Sequence, residues 1–244
     1  MQILDFETVD SLPALFDPEN DLLVISDLHL GLEKTMTSKG NYVPSSQLDD
    51  IKDDIREAQK ETEASRILVN GDLKNQYRTS YSETEEIEEF LNFLKAEFDE
   101  VIVIEGNHDT FIESTMEKAD IELEDHYLED GKLYIHGHEE LGQYELQDFE
   151  TVIIGHEHPA IALEDEIGVR EKIPALLYGP MEKDRRIIVM PAFSRIANGT
   201  AVNEIPKREL LSPVLKKNAD KEQLKAIGIS REAGLFEFPE LHHL

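Results

Sequence analysis

The sequence predicts an α/β protein built on mixed β-sheets, and three observations carry that reading. Short apolar runs of strand length end repeatedly in a Gly, Asp or His cluster. Helix-period patterns separate the early runs. After residue 120 the pattern changes to strands joined by tight turns.

The elements follow in order. Leu22 to Ile25 is the first clear strand. Pro44 and Ser45 then precede Leu48, Ile51, Ile55 and Ala58, spaced for one apolar helix face with acidic residues opposite. Ile67 to Val69 gives a second strand. Ser82 and Glu85 form a capping-box pattern ahead of a helix whose Ile87, Phe90, Leu91, Leu94 and Phe98 make a core-facing stripe. Val101 to Ile104 is a third strand. Asp130 and Gly131 signal a hairpin between Tyr127 to Leu128 and Leu133 to Ile135. Val152 to Ile154, Ala175 to Tyr178 and Ile187 to Met190 complete the strand set, and Asn198 with Gly199 reads as a further turn. Residues 204 to 234 are ambiguous. With 244 residues, 40% of them hydrophobic, the chain can bury one substantial core, so residues 1–244 are expected to form a single domain.

Composition narrows the chemistry. Without cysteine there are no disulfides, thiolate metal sites or cysteine nucleophiles, so any metal must be held by His, Asp, Glu and Asn. That donor set suits hard or borderline divalent ions. The balance of 53 acidic against 24 basic residues gives a formal charge of −29, which opposes tight nonspecific binding of a polyanion. Adaptation to a salty cytoplasm explains such a surface better than a functional acidic patch, and screening there leaves nucleic acid open as a substrate. No membrane span and no signal-peptide pattern are expected, which points to the cytoplasm.

Six of the nine histidines, His29, His108, His136, His138, His156 and His158, fall directly beyond predicted strands. An α/β sheet presents its ligand-binding edge there. The local strings are SDLHLG from Ser26, NGDLKN from Asn70, EGNHD from Glu105, HGH from His136 and GHEH from Gly155. Each sets imidazole or carboxylate beside glycine, which allows sharp turns and close approach. Asp27 and His29 are two apart, as are His156 and His158, so on extended backbone each pair would point to one side. Asp72 could bridge two metals through its two oxygens, while Asn107 offers a neutral amide oxygen.

In this order the strings resemble the calcineurin-like metallophosphoesterase superfamily, whose pattern is D-x-H, G-D-x-x-D/N, G-N-H-D/E, H and G-H-x-H. The resemblance implies a four-layer α/β/β/α sandwich with metals at the carboxyl ends of central strands. It also implies one divalent ion on Asp27, His29, Asp72 and His158 and another on Asp72, Asn107, His136 and His156. The expected ions are Mn²⁺, with Fe²⁺, Zn²⁺, Ni²⁺ and Mg²⁺ as alternatives, and they would activate water for in-line attack on phosphorus. His108 would protonate the leaving oxygen. Asp109 would either orient that imidazole or cap the helix starting near Phe111, and Asn75 would be either a supporting residue or a turn residue. His136 and His138 both fit the single histidine block, with His136 preferred because it directly follows its strand. The strings SDLHLGLE, GHEHPAIAL and MPAFSRIANG further resemble small archaeal and bacterial phosphoesterases related to the recombination-repair exonuclease nuclease subunit, including a ligase-associated DNA-repair branch.

Three functions are therefore weighed: a phosphodiesterase or nuclease linked to DNA repair, a phosphomonoesterase or nucleotide hydrolase, and a silent metal-binding scaffold. Arg195, Arg170 and Lys74 are candidate cations for the substrate phosphate, with DNA or a nucleotide as the expected partner. Tyr77 and Phe193 could stack on a base, with core packing the simpler role for Phe193. Glu33 and Lys34 could reach the site but more simply face solvent, and His126, His242 and His243 carry no motif.

Overall fold

The structure, a computed structural model, describes all residues except 42–45, 78–80 and 165–167, and the side chains of Tyr81, Ser82 and Gln143 are also left undescribed. Pro44 and Ser45 lie outside the described residues.

The first sheet takes the strands β1 (Gln2–Ile3), β2 (Phe6–Thr8), β3 (Leu15–Asp17), β4 (Leu22–Ile25), β5 (Arg66–Asn70), β6 (Glu100–Ile104) and β7 (Leu123–Glu124) in chain order. It is antiparallel as far as β4 and parallel from β4 to β7. The helices are α1 (Leu32–Ser38), α2 (Gln47–Thr62), α3 (Tyr81–Glu97), α4 (Glu113–Ala119) and α5 (Pro213–Asn218). The second sheet contains β8 (Tyr127–Glu129), β9 (Lys132–Tyr134), β10 (Thr151–Ile154), β11 (Pro159–Glu164), β12 (Arg170–Met181), β13 (Arg185–Val189), β14 (Thr200–Ala201), β15 (Lys225–Ser230) and β16 (Gly234–Glu240). At its centre β9, β10 and β13 run parallel, with antiparallel β12 beside β13.

Side-chain alternation along these strands separates three apolar layers. Leu23, Ile25, Ile67, Val69 and Val103 face Ile51 and Ile55 of α2 and the α3 stripe Ile87, Phe90, Leu91 and Leu94. Leu22, Val24, Leu68 and Ile104 instead meet Tyr134, Ile153, Ile188 and Ile227 between the sheets. Leu133, Val152, Ile154 and Val189 pack outward against Val214 and Leu215 of α5. Three cores between helices, two sheets and a second helical cover make the four-layer arrangement. Polar clasps add register: Lys132 Nζ lies 2.8 Å from both carboxylate oxygens of Asp17, and Arg66 donates to Glu129 at 2.9 Å and to the Tyr127 hydroxyl at 2.7 Å.

The expected strands all form, within a residue or two of their boundaries except Ala175 to Tyr178, which is the middle of the longer β12 (Arg170–Met181). Asp130 and Gly131 both adopt positive φ, 45° and 73°, as a tight hairpin with right-handed twist requires. The structure differs at other points. Helix α3 starts at Tyr81, so Ser82 lies in its first turn instead of ahead of it. The late turn falls at Arg195 and Ile196, while Asn198 and Gly199 lead directly into β14. Residues 204 to 234 resolve into short 3-10 turns, α5, β15 and the start of β16. Among the described residues, no helix is long and apolar enough to cross a membrane.

Candidate metal centre

Five parallel strands deliver the candidate ligands. Loops after β4, β5 and β6 carry Asp27, His29, Asp72, Asn107 and His108, and loops after β9 and β10 carry His136, His138, His156 and His158. Backbone bonds zip the first two loops together: Asp27 N to Gly71 O at 3.1 Å, His29 N to Asp72 O at 3.0 Å and Leu30 N to Leu73 O at 2.9 Å. The second sheet joins through the His156 amide, which donates to both Asp27 oxygens at 3.2 and 3.1 Å.

Local geometry corrects the extended-backbone expectation. Asp27, His29, Asp72, His156 and His158 all have φ between 45° and 63°, in the left-handed region. Their side chains converge because each loop turns left-handed at the ligand, not because neighbours alternate on a strand. Asp and His tolerate this region better than most residues, and such backbone strain concentrates at functional sites. Glycine makes room beside them. A Cβ on Gly106 would lie 2.1 Å from Asp72 N, and one on Gly155 would lie 2.0 Å from the Ser26 hydroxyl.

The side chains fall into two groups that share Asp72. Ligand atoms of Asp27, His29, Asp72 and His158 lie within 4.8 Å of one another, as do those of Asp72, His136 and His156. His158 Nε2 is 2.9 Å from Asp27 Oδ1, and His29 Nε2 is 3.2 Å from His158 Nε2. In the second group His136 Nε2 is 3.4 Å from Asp72 Oδ1 and 3.2 Å from Asn107 Oδ1, which brings Asn107 alongside. His136 therefore occupies the second group. His138 stands outside it, partly exposed, with its ring 5.3 Å from that of His136.

Charges in so small a space shift one another. Burial pushes Asp27 upward, but His158, His136 and His29 outweigh it and hold the carboxyl well below the usual range. Burial works against charging His136, yet its bond to Asp72 prevails and raises it to about 9. His29 and His156 are lowered to about 4, chiefly by burial and, for His156, by the neighbouring His136 charge. Two unprotonated imidazoles facing buried carboxylates, with the ring nitrogens of His29 and His158 confronting each other, form a donor set that fits divalent cations.

His108 sits at the rim. Its Nδ1 is 2.5 Å from the backbone carbonyl of Asn75, its amide donates to Asp72 Oδ1 at 2.9 Å, and the Tyr77 ring stacks on it at 4.3 Å. The Asn75 carbonyl thus orients this imidazole, while the Asn75 side chain donates to Thr35 Oγ1 at 3.0 Å. Asp109 does neither of the things expected of it. Its buried carboxylate accepts from the amides of Gly106, Leu73 and Lys74 at 2.8, 3.2 and 3.1 Å, and α4 receives no side-chain cap. Asp109 staples the second and third loops, and burial next to Asp72 raises it to about 7.

The candidate phosphate-binding cations are engaged elsewhere. Lys74 is buried and donates to Gln76 O, Arg170 pairs with Glu164 and Glu204, each at 2.8 Å, and Arg195 is held by Asp54 at 2.5 Å and by Asp50 at 3.4 Å. Phe193 is a core residue, and buried Glu33 accepts the Gln47 amide at 2.9 Å. Three supporting residues escaped the sequence reading. Ser26 Oγ lies 2.5 Å from Asp27 Oδ2, Asn70 O lies 3.1 Å from His136 Nδ1, and Gln47 Nε2 lies 3.3 Å from His29 O. Ser26 and Asn70 open the strings that hold the ligands, a signal that was visible, whereas Gln47 arrives from a helix 18 residues away.

With the geometry in place, comparison gives a partial match: residues 21–130, a little under half of the chain, match the model of calcineurin-like phosphoesterases. That stretch of the chain is similar to the family. Its match spans β4 to β8 and contains Asp27, His29, Asp72, Asn107 and His108. Among solved structures the fold resembles that of the Pseudomonas putida nuclease MPE, with 15% identity, a TM-score of 0.62 and coverage of 93% of this chain and 92% of that one. A conserved protein of Streptococcus pneumoniae described as a predicted phosphoesterase aligns at 12% identity and a TM-score of 0.34, over 89% of this chain and 97% of that one. No curated protein matches this sequence.

Proposed function

We propose that the chain is a dinuclear metal-dependent phosphodiesterase that acts on nucleic acid, with residues 1–244 working as one domain. The observation that carries this reading is the pair of ligand groups sharing Asp72. The proposed ligands are Asp27, His29, Asp72 and His158 for one ion and Asp72, Asn107, His136 and His156 for the other, with Mn²⁺ as the proposed metal. Bound there, two such ions supply an acidified water and neutralise phosphoryl charge.

The chain's own residues then have defined tasks. Asp72 presents one oxygen to each group, and Ser26 with the His156 amide fixes the Asp27 carboxylate. His108 Nδ1–H donates to Asn75 O, leaving Nε2 turned toward Asp72 Oδ2 at 3.9 Å. From that position the imidazole gives a proton to the departing oxygen. Water oxygen bonds to phosphorus, the bond from phosphorus to the leaving oxygen breaks, and the products are a phosphomonoester and an alcohol. No serine or cysteine nucleophile is required.

The shared fold with a nuclease makes nucleic acid the polymer to test first. A role in DNA repair is part of the proposal and rests on the SDLHLGLE and MPAFSRIANG segments. Purified protein with Mn²⁺ should be offered para-nitrophenyl phosphate, bis(para-nitrophenyl) phosphate and labelled single-stranded DNA. Hydrolysis of the diester and of DNA is expected, and activity confined to the monoester would overturn the diesterase reading.

A further inference from the structure

Two clefts flank the candidate centre, and they differ in size and charge. The one beyond Asn107 and His136 encloses about 330 Å³ and is bordered by Glu105, Asp125 and Glu139, with no lysine or arginine among the described residues of its lining. The other opens at His158 and Pro159, encloses about 640 Å³ and runs between the β11–β12 and β15–β16 hairpins. Its lining includes Lys172, Arg195 and Arg231 against the acids Glu171 and Glu232.

The cations of the larger cleft differ in how they are engaged. Arg195 and Arg231 both pair with the buried carboxylate of Asp54, with Asp50 at 3.4 Å and Glu57 at 3.9 Å as longer partners. Lys172 is exposed and donates to the neutral carbonyl of Gly199 at 3.1 Å. Phe236 adds an aromatic surface that is 38% exposed. With both arginines matched by carboxylates, Lys172 is the cation this cleft can turn toward a second phosphate in a chain of formal charge −29. The cleft's volume is within the ordinary range of small-ligand sites.

We propose that the cleft beyond His158 is a nucleotide subsite, which takes the nucleotide adjoining the scissile phosphate with its base on Phe236 and its next phosphate toward Lys172. The assignment rests on the phosphodiesterase reading above. Stacking on an aromatic face tolerates any base, so the subsite favours single-stranded nucleic acid over small esters without fixing a sequence. Among its described residues the acidic cleft opposite gives a phosphate no equivalent partner.

The test compares wild type, Phe236→Ala and Lys172→Glu on two Mn²⁺-dependent reactions at fixed salt. One substrate is a short single-stranded oligothymidylate; the other is bis(para-nitrophenyl) phosphate, which has neither base nor second phosphate. Each substitution is expected to lower the ratio of kcat/KM for the oligonucleotide to that for the small diester by about 10-fold, mainly through KM. A general loss of fold or metal would lower both and leave the ratio unchanged. Ratios unchanged in both variants overturn the subsite while leaving the diesterase reading intact. Wild-type protein that hydrolyses neither diester overturns that reading, and the subsite with it.

Discussion

Replacing Gly71 by alanine isolates how closely the two sheets must approach at the centre. Gly71 has φ of +84°, and a Cβ there would lie 2.2 Å from His136 Nδ1 and 2.5 Å from its Cγ. Gly234 has the same φ of +84° with nothing within 4 Å of an added Cβ, so it is a matched control for backbone strain alone. Left-handed backbone costs a non-glycine residue about 1–2 kcal/mol. Overpacking adds about 1–3 kcal/mol at Gly71, for a total of about 2–5 kcal/mol. At roughly 2–4 °C per kcal/mol for a chain of this size, Gly71→Ala should melt about 4–20 °C lower and Gly234→Ala about 2–8 °C lower. Relief of the clash moves His136 away from Asn70 O and Asp72, so metal analysis by plasma mass spectrometry should show one of two ions lost only in Gly71→Ala. A Gly71→Ala protein that keeps both ions and melts with the Gly234→Ala control would refute this reasoning.

Three further expectations follow from the same contacts. His108→Gln should keep its metal content while losing at least ~100-fold in kcat, measured by metal analysis beside diester turnover. His136 is raised to about 9 from an ordinary value near 6.5, so the metal-free protein holds that stabilisation in full below about pH 6.5 and loses it as pH climbs through 9. Urea midpoints of chelated protein should therefore fall between pH 7 and pH 9.5, and saturating Mn²⁺ should flatten that limb. Lys132→Met strands the fully buried Asp17 carboxylate between the sheets and should cost about 3–5 kcal/mol in urea unfolding, with most of the loss recovered when Asp17→Asn is added.

Much of this architecture was legible because the signals were local. Leu22 to Ile25 and Val152 to Ile154 are continuous apolar runs buried on both faces, and the α3 stripe repeats at helix period. The ligand strings were equally readable, since each sits beyond its strand with a glycine beside it. What escaped was set by distant contacts or by backbone. Strands β1 to β3 are two or three residues long and join the sheet in succession, with only β3 paired to β4. The convergence of Asp27 with His29 depends on left-handed φ, which residue spacing cannot report. The orienting group for His108 is a main-chain carbonyl, and every residue has one. Arg195 looked free to receive phosphate because Asp54, 141 positions away in sequence, reaches it only in the fold.

The shared carboxylate is the most direct point of attack on the dinuclear account. Wild-type protein and Asp72→Ala should each be stripped with chelator, reloaded with Mn²⁺, and assayed for bound metal and for bis(para-nitrophenyl) phosphate hydrolysis. The account predicts two ions per wild-type chain with metal-dependent turnover, and loss of both ions and of turnover in the variant. Full activity in stripped Asp72→Ala protein, or a variant that still binds two ions, would contradict it.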